Sequence, residues 1–122
     1  MSTDSLYEID PINITTNLIG GMGLNVSSLA IDGDGNFFTY DYNDDNLYSI
    51  DKNNAQTTLI GPLNVDARYQ GGGGMAWDSN TNMIYMTCIN SDFDRDFRSI
   101  DINTKFRCWG WYLQKVLSLD FF

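Results

Sequence analysis

Leu6-Tyr7-Glu8-Ile9-Asp10 returns 41 residues later as Leu47-Tyr48-Ser49-Ile50-Asp51, and more loosely at Phe97-Arg98-Ser99-Ile100-Asp101. The match at this offset extends past the signature. Residues 6–20 lie over residues 47–61 without a gap, and nine of the fifteen positions are identical. Chance does not plausibly give that agreement, so the chain is a repeat protein. Self-similarity of this period constrains the fold more than composition does.

A second element recurs between the copies. Ser28-Leu29-Ala30-Ile31-Asp32 resembles Gly74-Met75-Ala76-Trp77-Asp78, and each leads through a turn into an aromatic-rich run. One unit then reads as four short segments with strand alternation, separated by turns. Apolar and polar residues alternate at 6–10 as in a half-buried strand. Strands are expected at Thr15–Ile19, Val26–Ile31, Phe37–Tyr42, Leu47–Asp51, Gln56–Ile60, Met75–Trp77, Met83–Ile89 and Phe97–Ile102. Gly20 to Gly23 and Gly61-Pro62 are expected to end their strands. Asp32-Gly33-Asp34-Gly35-Asn36 reads as a tight turn, Asp-Gly being a hairpin signal because glycine accepts positive φ without steric cost. The expectation is an all-β chain of antiparallel four-stranded blades, two plus a partial third, over residues 1–105, with Tyr7 and Tyr48 in like surroundings.

Residues 106–122 form a tail of different, aromatic composition. The repeat asks for Thr-x-Leu-Ile-Gly there, and the chain reads Phe106-Arg107-Cys108-Trp109-Gly110-Trp111-Tyr112 instead. Two readings stay open: a closing strand pair or helix that caps the sheets, or an altered reading frame that replaced the natural continuation.

The 122 residues carry 16 acidic and 7 basic side chains, a net charge of −9. Such a surface repels phosphate backbones, so nucleic acid is not an expected partner. No run approaches the roughly 18 apolar residues of a membrane span, and Met1 to Ser5 does not read as a secretory signal. There is no histidine. Ser-His-Asp and Cys-His catalysis and the usual zinc sites are thereby excluded. Cys88 reads as a small core residue, and nothing in its spacing argues for a bond to Cys108.

The motifs Leu-Tyr-x-Ile-Asp, Thr-x-Leu-Ile-Gly and x-Leu-Ala-x-Asp, over residues 6–104, resemble the blades of bacterial β-propeller repeat proteins. The resemblance implies an extracellular or cell-surface location and a binding role without catalysis, toward a protein or glycan ligand. Propellers host many functions, so the motifs speak to fold more than to activity. Two blades alone leave sheet edges and faces uncovered. Self-association is therefore expected; the alternatives are a fragment of a longer propeller and an open sandwich closed by the tail. A small lectin that closes a ring by oligomerising is the second functional reading, and a carboxylate-pair glycoside hydrolase the third.

Two groups of residues are candidates for a site. Asp32, Asp34 and Asn36 place oxygen ligands at alternate positions, the spacing of calcium loops. The competing reading is an ordinary hairpin turn, and no other cofactor is expected. Asp41, Asp44 and Asp45, and in the matching loop Asp92, Asp94 and Asp96, read as solvated acidic loops, with a cation site as the competing reading. Trp77 and Tyr48 are candidates for stacking on a ligand, with core packing as the competing role. Trp109, Trp111 and Tyr112 carry no repeat constraint and read as an exposed apolar patch. Gly71 to Gly74 lacks the Lys and Ser/Thr of a phosphate loop and reads as a close backbone approach.

Overall fold

The computed structural model of the chain describes residues 3–63, 74–89, 95–101 and 108–112. Ten strands run through them: β1 Ser5–Asp10, β2 Thr15–Gly21, β3 Ala30–Ile31, β4 Phe37–Asp41, β5 Asn46–Ile50, β6 Thr57–Pro62, β7 Met75–Asp78, β8 Met83–Ile89, β9 Arg95–Asp101 and β10 Cys108–Tyr112. All pairings are antiparallel. They give a two-stranded sheet β1-β2 and two four-stranded sheets, β3-β4-β5-β6 and β7-β8-β9-β10. Among the described residues there is no helix. The incomplete unit is thus the first one, not the third.

The repeat in sequence is a repeat in register. Tyr7 faces Leu18 and Ile9 faces Thr16, as Tyr48 faces Leu59 and Ile50 faces Thr57. Both ladders shift at the same place, between Leu6 and Tyr7 and between Leu47 and Tyr48. Such a bulge sets two residues against one. The added residues, Ile19 and Ile60, turn toward the clusters that hold Leu6 and Leu47.

Period-2 alternation sends the signature's apolar residues to opposite faces. Leu47 enters the cluster between the second and third sheets, with Ala30, Phe38, Tyr40, Ile84, Met86 and Ile100. Tyr48 and Ile50 point the other way, into the cluster that Leu6, Met22 and Leu24 share with Ala55. Each sheet therefore needs a neighbour on both faces. Among the described residues the first sheet has one on the Leu6 side alone, and Tyr7 is 55% exposed while Tyr48 is half-buried. Like backbones do not give these tyrosines like surroundings, contrary to expectation, because Tyr48 faces a neighbouring sheet and Tyr7 does not.

Other differences have local causes. β3 is two residues long, not six, because its approach bonds elsewhere: Met22 and Val26 N–H donate to the Asp4 carbonyl and carboxylate (3.0 and 2.8 Å), and the Ser28 carbonyl accepts from Thr39 Oγ1 (2.7 Å). Gly20, Gly61 and Pro62 lie inside strands. Pro62 is tolerated because β6 is an edge, where a missing N–H costs no ladder bond. Past residue 105, within the tail, β10 pairs with β9 as the outermost strand of the third sheet. It sets Trp111 opposite Phe97, where earlier units set Gly20 opposite Leu6 and Gly61 opposite Leu47. The register also separates the cysteines. Cys108 stands level with Ile84, four residues along and two strands across from Cys88. That is roughly 16 Å by strand spacing, beyond the ~7 Å limit for a disulfide.

Glycines bring the sheets close. A Cβ on Gly20 would lie 2.6 Å from the Asn54 carbonyl oxygen and 3.3 Å from Ala55 Cβ, whereas one on Gly21 would meet nothing within 4 Å. Gly20→Ala is expected to destabilise the fold by about 1–3 kcal/mol through overpacking, and Gly21→Ala to leave it within a few tenths. Urea denaturation of the two variants checks both.

Candidate functional site

The aspartates of the repeat build turns. Asp10, Asp41, Asp51 and Asp78 each open a four-residue connection, and the fourth residue of each is left-handed: Ile14 (φ 54°), Asp45 (58°), Ala55 (65°) and Asn82 (55°). In three of them the N–H of that residue donates to the aspartate carbonyl, at 2.9 Å for Asp45, 2.7 Å for Ala55 and 2.9 Å for Asn82. In all four the carboxylate accepts the N–H two residues on, from Ile12, Asn43, Asn53 and Asn80 at 2.8–3.1 Å. A short acceptor that bonds its own backbone two residues ahead holds a turn without outside help.

Asp32, Asp34 and Asn36 share a shorter turn of the same logic. Asp32 Oδ1 accepts the N–H of Asp34 (3.0 Å) and of Asn36 (2.8 Å), and Oδ2 accepts Asn36 Nδ2 (3.0 Å). Gly35, at φ 81°, donates its N–H to the Asp32 carbonyl at 3.1 Å. A three-residue loop with a left-handed glycine is a common hairpin closure. Burial works to raise the Asp32 carboxyl, but the hydrogen bonds from Asn36, Asp34 and Gly35 together hold it below the ordinary value. At Asp10 the Asn13 side chain leads in lowering the carboxyl, and at Asp78 the Asn80 N–H does. The Asn36 amide gives its donor face to Asp32, and among the described residues no cluster of three or more Asp, Glu, Cys or His side chains is set to hold a metal ion.

Tyr48, on the second sheet, and Trp77, on the third, pack into the two clusters that flank the second sheet. Tyr48 packs on the cluster toward the first sheet, and its hydroxyl donates to Asp44 Oδ2 at 2.5 Å. That bond, with burial and the Asp44 charge, pushes the phenol up to about 12. Trp77 packs on the cluster toward the third sheet and donates Nε1–H to Asn82 Oδ1 at 3.0 Å. Its ring rests on the preceding hairpin: a Cβ on Gly33 would come within 2.7 Å of it. Both side chains thus serve the contacts between sheets. Asp92, Asp94 and Gly71 to Gly73 lie outside the described residues, as do the side chains of Asp96, Trp109, Trp111 and Tyr112.

A cleft opens between the first two sheets. About 350 Å³ in volume, it has an apolar floor that includes Leu6, Met22 and Ile50, while Asp4, Ser27, Ser28 and Thr39 add polar groups. Among the described residues, Ser28 Oγ is the one buried side-chain polar atom without a hydrogen-bond partner. A buried hydroxyl left unpaired carries a desolvation cost of about 1–3 kcal/mol. No single motif signals the cleft, because residues far apart in the chain line it.

No known protein family, curated protein or solved structure matches the chain. Among the described residues no helix is long and apolar enough to cross a membrane.

The Tyr48–Asp44 bond has a pH signature. The neutral phenol is the donor, so its folded value of about 12 stands above the ordinary 10.0. Its contribution to stability is complete below pH 10 and is lost as pH rises from there through about 12. The stability difference between the native chain and Tyr48→Phe is expected to stay flat up to pH 10 and then to shrink, as read by urea denaturation at successive pH values.

Proposed function

We propose that the chain is a non-catalytic interaction module, a run of propeller-type blades of the surface-associated kind, which takes its ligand in the cleft between its first two sheets. The observation that carries this reading is the use of the carboxylates. The five repeat aspartates Asp10, Asp32, Asp41, Asp51 and Asp78 are bonded to their own turns, and Asp44 is bonded to Asn46 and Tyr48. These six carboxylates are thus engaged in architecture. The fan of antiparallel meanders, with β3 and β7 as neighbours at the seam of their sheets, supports the propeller arrangement. Closure of such a ring draws on further units.

A lectin-like role is the second reading, and the cleft favours it. An apolar floor edged by Ser27, Ser28, Thr39 and Asp4 suits the mixed face of a sugar. On this reading the ligand is a neutral glycan, because an acidic one would meet the chain's net charge of −9.

A glycan array, run with and without calcium, tests both. Binding of neutral glycans is expected from the native chain, to be lost in Ser28→Trp, which fills the cleft. Retention of the signal in that variant would move the site elsewhere. Cleavage of a bound glycan, seen as a mass change, would overturn the non-catalytic reading. Calcium dependence of binding would return Asp32, Asp34 and Asn36 to the role of ligands.

A further inference from the structure

The two ends of the stack carry the two halves of a contact that the chain already makes inside itself. At one end lies the open face of β1-β2. Its Ile9 is 68% exposed, whereas Ile50, the same position one unit later, is 6% exposed beneath Leu6, Met22 and Leu24. Tyr7 follows the same contrast with Tyr48. Leu18 is as exposed as its counterpart Leu59, so the contrast belongs to the inner strand of the pair.

At the other end lies the outward face of β7-β8-β9. Ala76 stands opposite Tyr85, and Tyr85 opposite Ser99, as Ala30 stands opposite Phe38 and Phe38 opposite Ser49. Phe97, two residues before Ser99, holds the place of Leu47. In the second sheet Ala30, Phe38 and Leu47 are buried against the next sheet. In the third, Ala76 is exposed and Tyr85 and Phe97 are half-buried. Their rings stack 5.4 Å apart at 13° and border a shallow apolar groove with Gly74 and Met75.

We propose that a second copy of this chain docks head to tail, the Ala76–Tyr85–Phe97 face of one copy covering the Tyr7–Ile9 face of the next. The inference rests on reading the chain as a stack of like units. The occupant follows from that stack: the chain twice packs the Leu-side face of one unit on the Tyr-Ile-side face of the next, and a second copy presents the same pairing of faces. Tyr7, Ile9, Thr16 and Leu18 are uncharged, as are Ala76, Tyr85 and Phe97, so the net negative charge stays out of the seam.

The first turn agrees with this assignment. Where the covered unit has Asn53 and Ala55, the open one has Ile12 and Ile14, both 88% exposed. Ile14 is left-handed (φ 54°), a conformation that branched side chains disfavour. Inside the chain this rim is the Gly20–Ala55 approach. The two faces differ, which makes the contact heterologous and leaves each docked pair with one free face of each kind.

Sedimentation velocity over a concentration series tests the proposal with two surface variants, Ile9→Asp and Ala76→Asp. The native chain is expected to sediment above its 13.8 kDa monomer mass as concentration rises. Each variant alone is expected to stay monomeric with a native-like melt. An equimolar mixture is expected to form a dimer and nothing larger, because one good face of each kind remains. Should Ile9→Asp melt early, Thr16→Lys blocks the same face from an exposed position. A native chain monomeric throughout, a mixture that fails to associate, or an Ala76→Asp variant that still self-associates would each overturn head-to-tail docking. The glycan array is read separately, so loss of association and loss of ligand binding are distinguishable.

Discussion

Everything in this fold depends on a sheet having two apolar faces. Leu-Tyr-x-Ile-Asp puts leucine on one side and tyrosine with isoleucine on the other, so one strand contributes to two cores. Leu47 and Ile50 are three residues apart, yet they belong to different clusters, with the second sheet between them. A sandwich strand buries one face and wets the other. A strand of this kind is stable when sheets stack on both sides, which is the condition that defines repeat architectures.

The acidity of the chain has a structural meaning in the same frame. Stacked sheets need short, rigid connections, and the repeat supplies an aspartate at the head of each one described. Asp10, Asp41, Asp51 and Asp78 bond their own backbones in the same way although the residues between differ. Ile14 and Ala55 in the left-handed region show how strongly the turn is imposed, since neither residue type favours it; the conformation costs on the order of 1–2 kcal/mol per residue. The hydrogen bonds and packing of the turn must exceed that cost for the geometry to recur. Much of the negative charge is thus a by-product of how turns are made.

Much of the architecture was legible in the sequence. The 41-residue repeat and the period-2 signature identify β1, β2, β5 and β6, and β8 runs over the residues read for it, Met83–Ile89. What could not be read depends on contacts far along the chain. Residues 26–29 have the composition of a strand, but Asp4 and Thr39 engage their backbone. Asp32, Asp34 and Asn36 have the same spacing whether they cap a turn or bind a cation, and the spacing does not show that the Asn36 amide bonds to Asp32. Tyr48 and Trp77 look alike as exposed stackers or as packing residues, and their neighbours, Asp44 and Gly33, decide. The cleft escaped notice because its partners, Asp4, Ser28 and Ile50, belong to different units. β10 lacks the repeat motif, and its place is set by pairing with β9.

A contact between copies of the kind proposed would be weaker than its counterpart within the chain, and the difference is entropic. Burying Tyr7, Ile9, Ile12 and Ile14 would contribute roughly 1.5–3 kcal/mol for each side chain fully covered. Inside the chain this gain is set against ordering a connecting loop, whose cost grows only slowly with length. Between copies it is set against the loss of translational and rotational freedom, about 4–15 kcal/mol. The two terms are of similar size, so stacking between copies depends on concentration while stacking within the chain does not. Isoleucines in the first turn, where the covered unit has Asn53 and Ala55, shift this balance toward association. The balance is decided at the rim, where the repeat is least faithful to itself.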